Sequence, residues 1–453
     1  MPLRDLALVC VMLVAIPASF FRPWIGVLVF AWLGFMNPHK LGWGVTHDFQ
    51  FALIVGFLTI AGLPFTAEKN RLPRTAESYL LIGLWVWFGF TTMFALYPDL
   101  AQEEFVRVSK ILLMTFVTIL VLQDRRKVRL FLYVIAFSIG FYGFKGGAFA
   151  WLTGFRYQVL GPETTFIAMN TEIGLALNMV LPLLLLLRRD EPRRWARHLL
   201  LATFVLSIGA IISTYSRGAF LGLGAVLGSL LLKSRTKVFA IVLVCGGMVV
   251  APMLLPDAWF DRMDTIQSHE DNSSQGRLQA WMLSYRIALA HPVFGNGFRT
   301  YTPEVYAQYV PEFPVASRDA HSIYFQVLGE HGFTGFVLYV GLLASLFVSL
   351  RRLMWLHRKD PDMQWLCNAA AMMEAGLLAF AVNGAFLSRS YFDLFFAYAA
   401  VVIILKQLSR NAQQQRTAPE IAVTVPASAL WPPRPLPAAH AARAASGRVR
   451  TEL

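Results

Sequence analysis

QDRRKVRLFLYVIAFSIGFYG, residues 123–143, decides the class of fold. Four basic residues lead straight into an apolar run that continues to about residue 150, long enough to cross a bilayer as a helix. A helix satisfies its own backbone in hydrocarbon, so repeated runs of this kind predict an all-α polytopic membrane protein. The run does repeat, at roughly 5–20, 23–36, 50–66, 78–96, 105–122, 128–150, 166–187, 197–214, 216–232, 237–255, 321–350, 364–386 and 390–407. That gives about 12–13 transmembrane helices, with 23–36 short enough for a re-entrant or half-span. Composition agrees: of 453 residues 56% are hydrophobic and only 15% charged, with a mean hydropathy of +0.53, which is wrong for a soluble globule. Residues 6–20 have neither a cationic start nor a clean small-residue cleavage site, so the first run is expected to stay as a span.

The net charge of +13 raises the question of nucleic acid, and its distribution answers it. EKNRLPR carries three basic residues, QDRRKVR four, RRDEPRRWAR five, KSRTK three and RRLMWLHRK four, and the tail begins KQLSR. These fall on alternate connections, whereas YPDLAQEE and GPETT between them are acidic or nearly neutral. By the positive-inside rule the basic loops and the C-terminus face the cytoplasm. The charge is then a topology signal with membrane lipids as its partner, and no nucleic acid is required. The three cysteines, Cys10, Cys245 and Cys367, each sit inside an apolar run and read as small buried hydrophobes.

The chain divides into N-terminal transmembrane helices over 1–255, an outer loop over 256–320, C-terminal transmembrane helices over 321–407 and a disordered cytoplasmic tail over 408–453. The loop, about 65 residues, is far longer than an ordinary connection but keeps many aromatic residues. In QGRLQAWMLSYRIALAHP, Leu278, Trp281, Met282, Tyr285 and Leu289 recur at helical spacing. This predicts an amphipathic helix near 275–290, capped by Ser273 or Ser274, ended by His291-Pro292 and lying along the membrane surface.

Three outer-side residues carry the chemistry best. Arg217, in STYSRGAFLG, stands between two apolar spans, where a guanidinium is costly unless it meets water, protein or an anion. A snorkelling arginine is the plain alternative, but such residues gather on the inner side. Arg277 falls in the first turn of the loop helix, where it opposes the helix dipole by about 0.3–1 kcal/mol unless an anion binds there. His321 opens a long span, and a helix N-terminus favours the neutral imidazole, which can accept a proton. A neutral base beside two cations suits transfer of a group from an anionic leaving group to a hydroxyl, each cation being worth on the order of 2.7–4 kcal/mol.

Other ionisable residues have plainer readings. Lys145 and Arg156 flank a Gly-rich outer stretch and could add to an anion site; Asn170 and Glu172 open the next span. Arg389 and Asp393, spaced i, i+4, are expected to pair with each other. Glu374 lies near mid-span, and a transporter reading would start from it. No H-E-x-x-H or clustered His/Cys pattern occurs, so neither a metal nor a cofactor is expected.

The order TYSRGA, then a long loop with Gly276-Arg277…Trp281 and HPVFGNG, then AHSIYFQVLGEHGFTG, resembles the O-antigen ligase and polymerase superfamily of bacterial envelopes. FRPWIGVLVFAWLGFMNPHKLGWG, FYGFKGGAF…VLGP and AFLSRSYFDLF resemble its branch of O-glycosylation ligases that accompany exosortase systems, and the likeness runs over about residues 1–407. The resemblance implies a metal-independent enzyme of the bacterial inner membrane. It would move a glycan from undecaprenyl pyrophosphate to an acceptor hydroxyl of a lipid, glycan or protein on the periplasmic side. It places Arg217 and Arg277 on the pyrophosphate and His321 on the acceptor. Lys145, Arg156, Glu172 and Arg389 are supporting candidates from the reading of the residues, not from the resemblance. A polymerase on the same fold would pass the glycan to another lipid-linked chain, and a lipid-linked sugar or polysaccharide transporter is the reading from a different class.

Overall fold

The computed structural model describes residues 3–42, 44, 46–66, 71–233, 272–313 and 318–417. All regular structure among them is helical. Before the large loop come α1 (Leu3–Phe21), α2 (Pro23–Met36), α3 (Phe51–Gly62), α4 (Ala76–Met93), α5 (Pro98–Val121), α6 (Arg125–Leu152), α7 (Asn170–Asp190), α8 (Arg194–Ile212) and α9 (Arg217–Lys233). The loop holds α10 (Asn272–Ala290) and α11 (Pro303–Tyr309), and α12 (Ile323–His357), α13 (Gln364–Gly384) and α14 (Asp393–Thr417) follow. Among the described residues α1, α6, α7, α8, α12 and α13 are long and apolar enough to cross a membrane, and Pro23–Met36 and Phe51–Phe65 are shorter apolar helices. The protein is an all-α polytopic membrane protein. The expected span at 237–255, the first part of the loop and the tail beyond residue 417 lie outside the described residues.

Local chemistry sets the helix starts. Thr75 and Asp124 cap α4 and α6 by accepting the backbone N–H of Ser78 and Lys127, and proline opens α2 and α5. α7 is buried along almost its whole length, among α6, α8, α9 and α13, as a helix apolar on every side should be.

Side-chain contacts separate two ends of the bundle. At one end the basic loops meet. Gln123 donates to the Arg71 carbonyl, Arg129 to the Asp190 carbonyl, Arg189 to Asn368 and Arg410 to the Arg74 carbonyl, and Arg125 lies over the Trp365 ring. Glu374 belongs to this half: Lys233 at the end of α9 and Arg351 on α12 clamp its carboxylate at 2.8 and 2.7 Å. The opposite end gathers the connections α4–α5, α6–α7, α8–α9 and α13–α14 with α10 and α11.

The loop helix corrects three expectations. The helical backbone of α10 already runs through residues 273 and 274, where the sequence placed its start, and Arg277 lies a full turn inside the described helix rather than in its first turn. Its inner face is Ala280, Leu283 and Ile287, packed with Tyr301, Val305, Tyr306 and Val310. Leu278, Met282, Tyr285 and Leu289 face outward, and only Trp281 of that stripe turns in, stacking on Phe325 at 5.0 Å and donating to the Ala320 carbonyl. Two apolar stripes compete on this helix, and the smaller side chains won the core because α11 and α12 approach closely there.

α12 is broken at Gly332, whose φ of 66° and ψ of −172° interrupt the helical ladder. HPVFGNG straps across the break: the Asn296 and Gly297 N–H groups donate to the Gly329 and Glu330 carbonyls, and the Phe333 N–H donates to the Pro292 carbonyl. The polar groups freed by the kink are thereby satisfied. A Cβ at Gly332 would stand 2.5 Å from the Val293 carbonyl oxygen, so both the dihedral and the space require glycine.

Candidate active site

The opposite end is organised around the connection between α13 and α14, residues 385–392. Phe386 packs against Gly218 beside Arg217. Ser388 Oγ accepts the backbone N–H of His321 at 2.6 Å, Arg389 forms an ion pair with Glu172, and the Tyr391 hydroxyl donates to Glu330 at 2.6 Å. One short segment thus touches the neighbourhoods of Arg217, His321 and the start of α7.

Each sequence candidate has a definite setting. Arg217 is the first residue of α9 and half-buried, behind a Ser216 that caps the helix through the Ala219 N–H. The turn before it is pinned by Asn170 and Gln158, both donating to the Thr214 carbonyl. His321 precedes the N-cap of α12 rather than opening it, and its backbone is left-handed with φ 46°. Burial first, then the charge of Arg277, hold the imidazole below its ordinary value; Asp319 opposes them, and Arg318 adds the smallest lowering effect. The charge of Arg277 is thus felt at His321, and the neutral ring is the resting form near pH 7. Tyr215 and Arg299 also have positive φ, at 53° and 56°, so three of the chain's non-glycine left-handed residues stand at this end beside candidate groups.

Two supporting candidates stand apart, and one pairing changes. Lys145 is an exposed residue inside α6, not part of a loop, and Arg156 is exposed. Arg389 does not pair with Asp393 as a helical neighbour. It lies in the connection before α14, while Asp393 is that helix's first residue, so the i, i+4 rule has no helix to act on. Its partner is Glu172, in the first turn of α7, which also accepts the Met169 N–H.

Beside His321 lies a polar cavity of about 630 Å³, walled by the start of α5, residues 299–301, α12 and residues 388–393. Ser388 and Asp319 connect its wall to His321. Glu104 bonds both Arg107 and Arg299 there, and Glu330, fully buried in α12, accepts from the Tyr391 hydroxyl and from the Arg299 N–H at 3.1 Å. Behind Tyr391, His331 bridges it to Thr91 at 2.6 and 2.7 Å. Because Tyr391 donates to Glu330, it receives the His331 Nε2 hydrogen, which leaves Nδ1 facing the Thr91 hydroxyl. Burial pushes the Tyr301 phenol on the cavity wall well above its usual value, so it stays neutral. Sequence reading passed over Glu330, His331, Tyr391, Arg299 and Glu104. The available signal was GEHG: two adjacent ionisable residues between glycines inside an apolar span, a pattern that needs partners wherever it occurs. Among the described residues, no group of His, Cys, Asp and Glu stands together as metal ligands would.

Residues 202–340 match the model of the family described as O-antigen ligase. The chain carries an O-antigen ligase domain. That domain holds Arg217, Arg277, Arg299, His321 and Glu330, and it supports a membrane glycan ligase or polymerase type of function. Residues 3–191, α1 to α7, match a family of unknown function, DUF5935. No curated protein matches the chain. The O-antigen ligase domain ends inside α12, so the 385–392 connection that joins its candidate residues comes from outside the matched stretch.

Proposed function

We propose that the protein transfers a glycan from undecaprenyl pyrophosphate to an acceptor hydroxyl at the periplasmic face of the bacterial inner membrane. The observation that carries this reading is a half-buried, neutral-leaning His321, within reach of the charge of Arg277 and bonded to Ser388 on the wall of a polar cavity, within an O-antigen ligase domain. In the proposed step the acceptor oxygen attacks the anomeric carbon as His321 takes its proton. The bond from that carbon to the diphosphate oxygen breaks, and undecaprenyl pyrophosphate leaves with inversion of the carbon. Arg277 and Arg217 offset the charge of the departing diphosphate, so the reaction needs no metal and no protonation of the leaving oxygen. Glu172 and Arg389 are assigned to holding the α13–α14 connection in place. The face follows from the charge pattern, which puts the basic end in the cytoplasm and the cavity end outside. Membership of the exosortase-associated branch belongs to the same proposal and rests on the sequence likeness alone.

The two cations on Glu374 weigh against a transport relay, because a carboxylate clamped between Lys233 and Arg351 is a poor proton carrier. The test is turnover of an undecaprenyl-pyrophosphate-linked glycan by the detergent-solubilised full chain. Wild type should release undecaprenyl pyrophosphate, and His321→Ala should lose about 10²–10⁴-fold of the rate. Transfer by His321→Ala at the wild-type rate would remove that residue from the mechanism. Ladders of lengthened lipid-linked glycan would identify a polymerase, and a product free of the lipid diphosphate a ligase.

A further inference from the structure

We infer that the cavity between α5, α12 and the 388–393 segment is a saccharide subsite that takes an uncharged sugar residue, not the diphosphate. The inference rests on the glycan-transfer reading for its context, and its test does not depend on turnover.

The charges of the cavity wall argue first. Three guanidinium groups face it, Arg107, Arg299 and Arg389, against four carboxyl groups, Glu104, Asp319, Glu330 and Asp393. Each arginine is already in an ion pair, the first two with Glu104 and the third with Glu172. A diphosphate entering here would meet carboxylates without an excess of cations. A sugar ring brings no charge, and its hydroxyls both donate and accept. Paired guanidinium and carboxylate groups keep enough unused N–H donors and lone pairs to bond such vicinal hydroxyls.

The geometry argues second. Glu104, Glu330 and Tyr391 are more than nine-tenths buried, yet all three line the cavity. Glu330 is held from two sides, by the Tyr391 hydroxyl and the Arg299 N–H, so its orientation is set before a ligand arrives. Phe166 and Phe392, 5.2 Å apart and tilted, supply the apolar surface on which the C–H face of a sugar ring rests. The volume of about 630 Å³ falls in the range of small-molecule sites. Ser388 joins this wall directly to His321, so a sugar seated here has its next linkage near the proposed base.

The experiment is saturation-transfer difference NMR on the full chain in nanodiscs. The probes are free N-acetylglucosamine, galactose and glucuronate, with inorganic pyrophosphate as competitor. Ring protons of the two uncharged sugars should saturate, glucuronate should saturate less, and pyrophosphate should not displace them. Glu104→Gln should weaken binding about tenfold, the loss of one charge-assisted hydrogen bond. Leu100→Trp fills the exposed rim, leaves every ion pair in place and should weaken it as much. The proposal is overturned if neither uncharged sugar saturates, if pyrophosphate abolishes the signal, or if Leu100→Trp leaves it intact. Sugar binding without donor turnover would sink the glycan-transfer reading and spare this one; turnover with no dependence on the cavity would do the reverse. In turnover, Leu100→Trp raises the KM for donor if the donor sugar sits here and the KM for acceptor if the acceptor does.

Discussion

His321 keeps a left-handed backbone that costs a non-glycine residue on the order of 1–2 kcal/mol, and the Ser388 hydroxyl that takes its N–H helps hold it there. Burial and Arg277 place its ionisation below the ordinary 6.5, so the neutral base persists at neutral pH. Transfer activity should therefore fall only as pH drops below that value. In Arg277→Gln one repulsive charge is gone, so the acid limb of the rate profile should move up towards 6.5 while burial still holds it partly down. An acid limb unmoved by that substitution would separate His321 from the rate-controlling ionisation. The same shift has a stability sign. The unfolded chain binds the proton more readily than the folded one, so stability is lost as pH falls from about 6.5 through the depressed folded value. In the sequence a neutral histidine was argued from a helix start. The causes in the structure, burial and then the charge of Arg277, were not legible, because the two residues are 44 positions apart and come near each other only when α10 docks.

At the scale of elements, the break in α12 and its strap form one unit. Gly297, with φ 82°, backs onto Ala95, and its N–H closes the Glu330 carbonyl. Gly297→Ala should destabilise the protein by about 1–3 kcal/mol through backbone strain and overpacking, read as a lower Tm in detergent. Gly34→Ala in α2 meets open space and should raise stability by about 0.5–1 kcal/mol. Equal effects of the two would mean that the strap is not tightly seated. Helix positions were legible because apolar runs and caps act over a few residues; α2 occupies 23–36 as the sequence implies. The buried face of α10 was not, since two apolar stripes satisfied the same period and the neighbouring helices chose between them.

The whole molecule separates its charges by end. The basic loops cluster at one end, where Lys406 neutralises the fully buried Glu77 at 2.7 Å and ties α14 to α4. Lys406→Met would strand that carboxylate and should cost about 3–5 kcal/mol in thermal unfolding. If the basic end is cytoplasmic, a cysteine at Glu163 in a chain without native cysteines should react with an impermeant thiol reagent from the periplasm, and one at Asp362 should not; the reverse labelling would invert the topology. The sequence by itself determined the helical class, most helix limits and the alternation of basic loops, because hydrophobic transfer, capping and lipid charge act on short stretches of chain. Tertiary structure decided that Arg389 pairs with Glu172 rather than Asp393, that Glu374 is clamped by two cations, and that Glu330, Tyr391 and His331 form one network beside the cavity. Those contacts join residues far apart in the chain, and a buried charge takes whichever partner the packing brings within reach.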